Sequence, residues 1–292
     1  MHPFENAKGL RLNGEFYSRR RLLEPAGEGT DSSESVKYIR DILRFAGEMV
    51  SAKTEMKVWT SGSTGDPKEL VFPKSALWQS AGATNEFFGL AAQSRALLAL
   101  PMEYIAGKMM VARALAGGYE LMSVAPCANP LAAVPPGTRI DFAPFTPHQA
   151  TVMARENPER LAGIGKVLLG GSAVGDELRQ RLCGIGCYAY IGFGMAETLS
   201  HFALARISES EDPIYHPLEG VRIDTDGKGR LVVHRTGILD GALTTNDIIE
   251  KVHGGFRWLG RADNAIITGG VNVFPEQIEK KLAPQIRSGF FV

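Results

Sequence analysis

The sequence has few cysteines, no excess of charge of either sign and no long apolar run. Three cysteines in 292 residues, an odd number without a neighbouring His/Cys cluster, argue against a disulfide framework and a structural zinc site. Lysine plus arginine and aspartate plus glutamate each total 32, so no basic excess indicates a nucleic-acid or membrane-surface partner. The longest apolar region, 105–125, contains Lys108, Arg113 and Glu120, which excludes a membrane span.

No N-terminal segment combines a basic region, an apolar run and a small-residue cleavage site. Together with the unpaired cysteines, this absence predicts a soluble, cytoplasmic protein without membrane insertion. The 44% hydrophobic content is enough for the core of one large domain or of two smaller ones.

Residues 59–68 read WTSGSTGDPK, and the rest of the chain is organised around this stretch. Its glycines and hydroxyl side chains can direct several donors at one anion, and Lys68 adds a positive charge. Alternating residues on both sides indicate two flanking strands. A Walker P-loop is excluded, because the fifth residue after Gly62 is Pro67 and Glu69 follows the lysine. The run therefore fits a polyphosphate ligand, with a flexible linker as the alternative.

Strand and helix patterns alternate up to about residue 218, which predicts an α/β fold with a largely parallel sheet. We expect helices at 31–52, 75–88, 105–116, 147–156 and 176–182, and strands at 96–100, 121–124, 140–143, 167–169 and 187–191.

After residue 218 the pattern changes to short strands. The DGKG sequence at 226–229 is a hairpin signal, and 255–259 reads as a further strand, so we expect a mostly antiparallel β subdomain. It would complete a large domain of residues 1–260. Residues 261–292 would begin a small, incomplete α+β domain with a strand at 265–268, a Gly-Gly turn and a helix at 275–282.

A second motif, GFGMAET at 192–198, follows the strand predicted at 187–191. It should therefore lie in a crevice at the carboxyl end of that strand. The ring of Phe193 between two glycines can stack on a purine, and Glu197 can hold Mg²⁺ beside phosphates. A core aromatic and a helix-capping acid are the structural alternative.

Three further segments have residues suited to a nucleotide site. The GGS sequence at 170–172 fits a tight turn between strand and helix, and TTND at 244–247 reads as a turn whose aspartate could accept hydrogen bonds from ribose hydroxyls. The run GRADNAIITGGVNVFPEQIE at 260–279 places polar residues at element ends, where a hinge can absorb a change in backbone angles.

Taken together, these segments resemble the adenylate-forming superfamily, which contains acyl-CoA synthetases, adenylation domains and luciferases. The resemblance implies that ATP and a small-molecule carboxylic acid react to acyl-AMP and pyrophosphate, and that the acyl group then passes to CoA. It also implies Mg²⁺ as the metal cofactor.

The same resemblance implies roles for individual residues. Thr64, Lys68 and Glu197 would be catalytic, with Glu197 also the Mg²⁺ ligand, and Asp263 would be the hinge. The nucleotide and the CoA arm would be bound by Thr60, Ser61, Gly62, Ser63, Gly65, Gly170, Gly171, Ser172, Gly192, Phe193, Gly194, Met195, Asp247, Arg261, Gly269 and Gly270.

The sequence departs from the family pattern at three positions. Ala196 stands where the family usually has threonine, Asn246 where it has glycine, and Tyr104 where a Pro-Leu-x-His segment has histidine. Tyr104 could be a gate of the acid pocket or a core tyrosine, and a histidine such as His201 could also be purely structural. The residues expected around the acid are Tyr104, Lys108, Thr198, Ser200 and His201.

Within the superfamily, the MAETLSH stretch at 195–201 and the VNVFPEQIE run at 271–279 look most like o-succinylbenzoate–CoA ligases of menaquinone synthesis. Such an acid has a second carboxylate, so we expect better turnover of o-succinylbenzoate than of benzoate. A self-standing amino-acid adenylation domain is a weaker alternative, because no aspartate is secured for the amine.

The family's late catalytic lysine has no counterpart before the apolar end at 290–292. We expect a fragment of a longer enzyme; the alternative is a binding protein that retains only the nucleotide pocket. The sequence leaves open whether the protein forms a homodimer.

Overall fold

The computed structural model describes residues 2–24, 33–59, 68–208, 213–268 and 271–282. The helices in these ranges are α1 Arg19–Leu23, α2 Glu34–Val50, α3 Lys74–Phe88, α4 Ile105–Gly117, α5 Pro147–Glu156, α6 Pro158–Ala162, α7 Asp176–Gly184 and α8 Pro275–Leu282. The strands are β1 Gly9–Leu12, β2 Glu15–Ser18, β3 Glu55–Trp59, β4 Glu69–Pro73, β5 Arg95–Leu98, β6 Glu120–Ser123, β7 Ala143–Phe145, β8 Val167–Leu169, β9 Ala189–Met195, β10 Ser200–Arg206, β11 His216–Pro217, β12 Val221–Thr225, β13 Arg230–Arg235, β14 Ala242–Val252, β15 Gly255–Arg261, β16 Ile266–Thr268 and β17 Val271–Val273.

Two mixed sheets form the α/β part, in the orders β2-β1-β6-β5 and β11-β10-β9-β8-β7. The pairs β1–β6, β5–β6, β7–β8 and β8–β9 are parallel, and the antiparallel pairs β1–β2, β9–β10 and β10–β11 lie toward one edge of each sheet. The Leu97 amide donates to the Phe142 carbonyl at 2.9 Å, which joins the two sheets through β5. The α/β prediction is confirmed.

The third sheet, in the order β12-β13-β14-β15, is antiparallel throughout, as the hairpin signal predicted. A backbone bridge between Tyr215 and Phe256 connects it to the second sheet. Between the two sheets lies a small apolar core of Phe202, Ala203, Leu231, Val233, Ile249 and Phe256. The β subdomain therefore packs directly against the strands that carry the GFGMAET motif.

Local sequence signals account for several helix ends. Thr146 accepts a hydrogen bond from the Gln149 amide, and the Gln149 side chain accepts one from the Thr146 amide, so α5 begins with a capping box followed by proline. Helix α4 ends at Gly118, whose φ of 67° is left-handed and suits glycine. Within the described ranges, no helix combines the length and apolarity needed to cross a membrane.

Some element predictions need correction. The strand expected at 140–143 is β7 at 143–145, and β9 continues to Met195 instead of ending at residue 191. The proposed helix start at 31–32 lies outside the described residues. Beyond β15, the strand β16 and the helix α8 occur where they were expected, and Gln277 donates to the Leu259 carbonyl at 3.2 Å. The division into domains at residue 260 stays a prediction.

Candidate active site

The GFGMAET motif lies on a hairpin formed by β9 and β10. Met195 pairs with Ser200 and Gly194 with His201, so Gly192 to Met195 belong to the strand itself. The sequence had predicted instead that these residues lie in a crevice after the end of the strand. The strand continues because β10, which the sequence did not predict, supplies its hydrogen-bonding partner. A Cβ on Gly194 would lie 2.2 Å from the Ser200 carbonyl oxygen, so this close approach requires glycine.

The loop of this hairpin, residues 196–200, is called the Glu197 loop below. Glu197 lies in a single 3₁₀ turn, Ala196–Thr198, and is partly buried. No described residue forms a hydrogen bond or an ion pair with its carboxylate. The described residues also contain no cluster of three or more His, Cys, Asp or Glu side chains that could bind a metal. One free carboxylate beside a phosphate site fits Mg²⁺, which takes one or two carboxylates and completes its shell with phosphates and water.

Thr198 is fully buried, and its hydroxyl is used inside the Glu197 loop. The hydroxyl accepts from the Met195 amide at 3.0 Å and lies 2.8 Å from the Ser200 carbonyl, to which it donates. The structure thus gives the Thr198 hydroxyl internal partners, and its expected contact with the acid stays a prediction. The next two residues, Leu199 and Ser200, have φ values of 51° and 81°, a left-handed backbone that costs non-glycine residues about 1–3 kcal/mol each.

A buried arginine lies directly behind the Glu197 loop. Arg113 in α4 is 1% exposed, and its Nη2 donates to Ser200 Oγ at 3.2 Å. Among the described residues, the one hydrogen-bond partner of its Nη1 is the Met110 sulfur at 3.6 Å, and its Nε has none. Burial lowers the pKa of this guanidinium to about 10, so it stays charged at neutral pH. No carboxylate in the described part of the chain pairs with it.

His201 follows Ser200 and is also buried. The Thr84 hydroxyl donates to the Ser80 carbonyl, so His201 Nε2–H donates to Thr84 Oγ1 at 3.1 Å. His201 Nδ1 then remains an acceptor 3.4 Å from Ser200 Oγ. Burial lowers the pKa of His201 well below its usual value, and the nearby charges of Arg113 and Arg235 lower it further. His201 is therefore neutral.

Two further residues expected around the acid, Tyr104 and Lys108, lie at the start of α4 and within it. Lys108 is five positions before Arg113 in α4, about 140° around the helix, and it faces the charges of Glu48 and Glu103. Burial lowers its pKa, and no contact among the described residues joins Lys108 to Ser200, so nothing in the structure supports its expected role at the acid. Tyr104 is 53% exposed at the start of α4, which excludes the core-tyrosine alternative; a gating role stays a prediction.

Phe193 lies between the second and third sheets. Its partly buried ring meets the rings of Phe202, Tyr215 and Phe256 edge-on, with centroids 5.1–5.7 Å apart. Edge-on packing fixes the ring orientation and gives the ring a structural role. Stacking of adenine on its remaining surface stays a prediction.

Asp247 lies in the middle of β14, opposite Arg261 at the end of β15. The turn predicted at 244–247 is therefore wrong, because β13 and β15 pair with this segment on both sides. Trp258 Nε1 donates to Asp247 Oδ1 at 2.9 Å, which leaves the second carboxylate oxygen for another donor. Arg261 Nε and Nη2 donate to the two carboxylate oxygens of Asp263 at 2.9 and 2.7 Å, and this fork lowers the pKa of Asp263. Arg261, which was expected to bind the nucleotide, and Asp263, which was expected to be the hinge, thus form an ion pair with each other.

The GGS segment connects β8 to α7. Gly171 has a φ of 91°, which requires glycine, and Gly171 and Ser172 are exposed. The Gly170 amide donates to the Phe145 carbonyl at 3.2 Å. The tight strand-to-helix turn is confirmed, and contact of Gly170 to Ser172 with a nucleotide stays a prediction.

The central phosphate-binding stretch falls mostly outside the described residues. This applies to Thr60, Ser61, Gly62, Ser63, Thr64 and Gly65, and also to Gly269 and Gly270 in the later turn. Its flanks form the predicted strands, since β3 and β4 pair antiparallel from Glu55–Pro73 to Trp59–Glu69. Lys68 is exposed and directly precedes β4.

The chain was compared with known families and proteins. A family profile described as AMP-binding enzyme matches residues 52–239. The 2-succinylbenzoate–CoA ligase of Haemophilus influenzae is 29% identical over 236 residues, which cover 76% of this chain and 51% of that protein. The same ligase of Staphylococcus aureus is 25% identical over 246 residues, covering 76% of this chain and 50% of its own length. The chain thus spans about half the length of these curated relatives.

Solved structures share the fold. The acyl-CoA synthetase (AMP-forming)/AMP-acid ligase II-like protein from Dyadobacter fermentans is 31% identical, with a TM-score of 0.74 over 90% of this chain and 74% of that chain. The O-succinylbenzoate coenzyme A synthetase from Bacillus subtilis, in complex with ATP and magnesium ion, is 21% identical, with a TM-score of 0.70 over 78% of this chain and 54% of that chain. Because the family profile matches well over half of the chain, the chain belongs to the AMP-binding enzyme family, as the resemblance predicted.

Proposed function

We propose that the chain provides the nucleotide- and acid-binding part of an AMP-forming acid–CoA ligase, and that its acid carries a second carboxylate. The proposed acid is 2-succinylbenzoate, the substrate in the names of its curated relatives. The reaction would form an acyl–phosphate bond at the α-phosphorus of ATP with loss of pyrophosphate. CoA would then take the acyl group as a thioester and release AMP.

The observation that carries this proposal is the buried charge of Arg113 behind Ser200. An unpaired buried cation is unfavourable by several kcal/mol, so a ligand anion at this position would relieve it. Ser200 is partly exposed, and its oxygen accepts from Arg113 Nη2, so its hydroxyl hydrogen can turn from His201 Nδ1 to a ligand carboxylate. A neutral imidazole adds no competing charge. The pocket thus favours an acid with an anionic group remote from the reacting carboxylate.

The remaining residues suit the nucleotide half of the reaction. When bound, Mg²⁺ would neutralise phosphate charge, and Glu197 is the free carboxylate to hold it. The second carboxylate oxygen of Asp247 can accept a hydrogen bond from a ribose hydroxyl. Lys68, the last residue of the phosphate-binding stretch, adds a positive charge for the phosphates. These side chains position the reactants and stabilise charge, which is what in-line displacement of pyrophosphate at the α-phosphorus needs.

The test is acid-dependent exchange of labelled pyrophosphate into ATP, with 2-succinylbenzoate and benzoate compared at equal concentrations. We expect exchange with 2-succinylbenzoate to exceed that with benzoate, and Glu197→Gln to lower it by about 10²–10³-fold. Thioester formation from added CoA tests the second step. ATP binding without exchange for either acid would instead identify a nucleotide-binding protein that does not activate acids.

A further inference from the structure

Arg235 is a second buried arginine, and it does not belong to any motif of the sequence. It is the last residue of β13 in the third sheet, it is 4% exposed, and no described carboxylate pairs with it. Its Nη1 donates to the carbonyl oxygens of Thr198 and, at 3.4 Å, of His201. Its Nη2 donates to Ser80 Oγ in α3 at 3.3 Å. The guanidinium therefore reaches from the third sheet into the hairpin that carries Glu197.

Side chains bind every backbone carbonyl from residue 198 to residue 201. Arg235 binds the first and the last, Ser80 Oγ donates to the Leu199 carbonyl at 2.8 Å, and Thr198 Oγ1 donates to the Ser200 carbonyl at 2.8 Å. Leu199 and Ser200 are the two left-handed residues of this segment. A backbone in this unfavourable conformation persists only where its surroundings hold it.

We propose that Arg235 is a positioning residue for Glu197, which fixes the Glu197 loop by binding the carbonyls that follow the carboxylate in sequence. The inference rests on the proposed function, in which Glu197 holds Mg²⁺ beside the phosphates. Arginine suits this role because its planar fork can bind two carbonyls and a hydroxyl at fixed angles. Lysine would bring the same charge but a single flexible donor group.

Hydrogen exchange of the nucleotide-free protein tests the positioning directly. The Leu199 amide donates to the Ala196 carbonyl at 3.0 Å and the Met195 amide to Thr198 Oγ1 at 3.0 Å, so both report on the Glu197 loop. We expect Arg235→Met to speed exchange in peptides covering 195–201 by about tenfold or more, since one charged hydrogen bond is worth at least that factor. Arg235→Lys should give an intermediate rate.

Two further variants keep the test decisive. Ser80→Ala removes the bond to the Leu199 carbonyl without removing a charge, and it should speed exchange in the same peptides even if Arg235→Met does not fold. Arg230→Met is the matched control, because Arg230 lies on the same strand but pairs with Asp226 at 2.7 Å at the far hairpin. It should leave exchange at 195–201 unchanged. A uniform rise across all peptides, including those of α5, would contradict a positioning role.

Calorimetric titration measures the consequence for the metal. We expect wild-type protein to bind ATP more tightly with Mg²⁺ than in chelator. In Arg235→Met the ratio of these two affinities should fall by about tenfold, while the affinity for ATP in chelator stays within about twofold of wild type. An equal loss with and without Mg²⁺ would overturn the link to Glu197. If wild-type protein shows no Mg²⁺-dependent gain, the proposed function fails, and the hydrogen-exchange comparison alone decides whether Arg235 holds the Glu197 loop.

Discussion

Arg113 presents an energetic conflict at the scale of one residue. Its side chain fills space in the core, yet the hydrogen-bond partners of its buried charge among the described residues are one hydroxyl and one sulfur. Replacing buried charges by apolar residues of similar volume is often neutral or stabilising. If the charge is kept for a ligand, its removal should therefore affect binding and not folding.

We expect Arg113→Met to leave the free energy of unfolding unchanged or higher, and to reduce the preference for 2-succinylbenzoate over benzoate by about 10–100-fold, the value of one charged hydrogen bond. Urea unfolding and acid-dependent pyrophosphate exchange measure the two effects. Lys108→Met on another face of α4 is the control and should retain the preference. A loss of stability of about 3–5 kcal/mol in Arg113→Met would indicate an internal partner for the charge instead.

His201 makes the stability of the protein depend on pH. Its pKa is lowered in the folded state, so below the unfolded value of about 6.5 the unfolded chain binds the additional proton. Stability should fall as the pH decreases from 6.5, by at most about 1.4 kcal/mol per pH unit for this group. Urea unfolding of wild-type protein and His201→Gln between pH 5 and 7 should show a steeper slope for wild type. Parallel slopes would mean that His201 takes up its proton in the folded state.

At the scale of the elements, Lys74 joins α2 to α3. The side chain is fully buried, and its Nζ donates to the Glu48 carbonyl at 2.5 Å and to Ser51 O and Oγ at 3.1 Å. These are carbonyls at the C-terminal end of α2, where a cation also interacts favourably with the helix dipole.

Lys74→Met should destabilise the protein by about 1–3 kcal/mol, because it removes a buried charged donor that is shared by Glu48 O, Ser51 O and Ser51 Oγ. The shift in the urea midpoint measures the effect. Lys53→Met, which removes an equal charge from an exposed position, should change stability by less than about 0.5 kcal/mol. Equal effects of both substitutions would attribute the change to net charge.

The elements predicted from sequence are those with strong local signals. Helix α5 has a proline and a capping box and occurs where it was expected, and the hairpin at 226–229 has a turn of glycines. Strand β10 has no comparable boundary signal, and β14 contains an aspartate that reads as a turn residue. Both form because neighbouring strands pair with them, and pairing between distant segments is not visible in a single sequence.

The same limit applies to the site. The proposed phosphate-binding stretch and the Glu197 motif are contiguous in sequence, so the pattern alone was enough to single them out as candidates; their roles stay predictions. Arg113, Arg235 and Thr84 act through contacts with residues 34 to 155 positions away. An arginine inside an apolar helix or strand carries no sign of such a partner, so the charged network behind the Glu197 loop could not be predicted.

At the scale of the whole molecule, the proposed site joins the second and third sheets with α3 and α4. Ligands that bind only the folded state stabilise it by mass action, by about 2.7 kcal/mol at a concentration of one hundred times Kd. For a chain of 292 residues we expect Mg·ATP at that concentration to raise Tm by about 4–5 °C. Differential scanning fluorimetry over a series of nucleotide concentrations measures the shift.

The metal-dependent part of this shift should depend on one carboxylate. Glu197→Gln keeps the size of the side chain and removes its charge, so it should reduce the additional shift produced by Mg²⁺ while preserving that produced by ATP in chelator. Asp240→Asn, at an exposed position in the third-sheet turn, is the control for lost charge and should behave as wild type. An unchanged Mg²⁺ effect in Glu197→Gln would place the metal on other ligands, and the role proposed for the Glu197 loop would then be wrong.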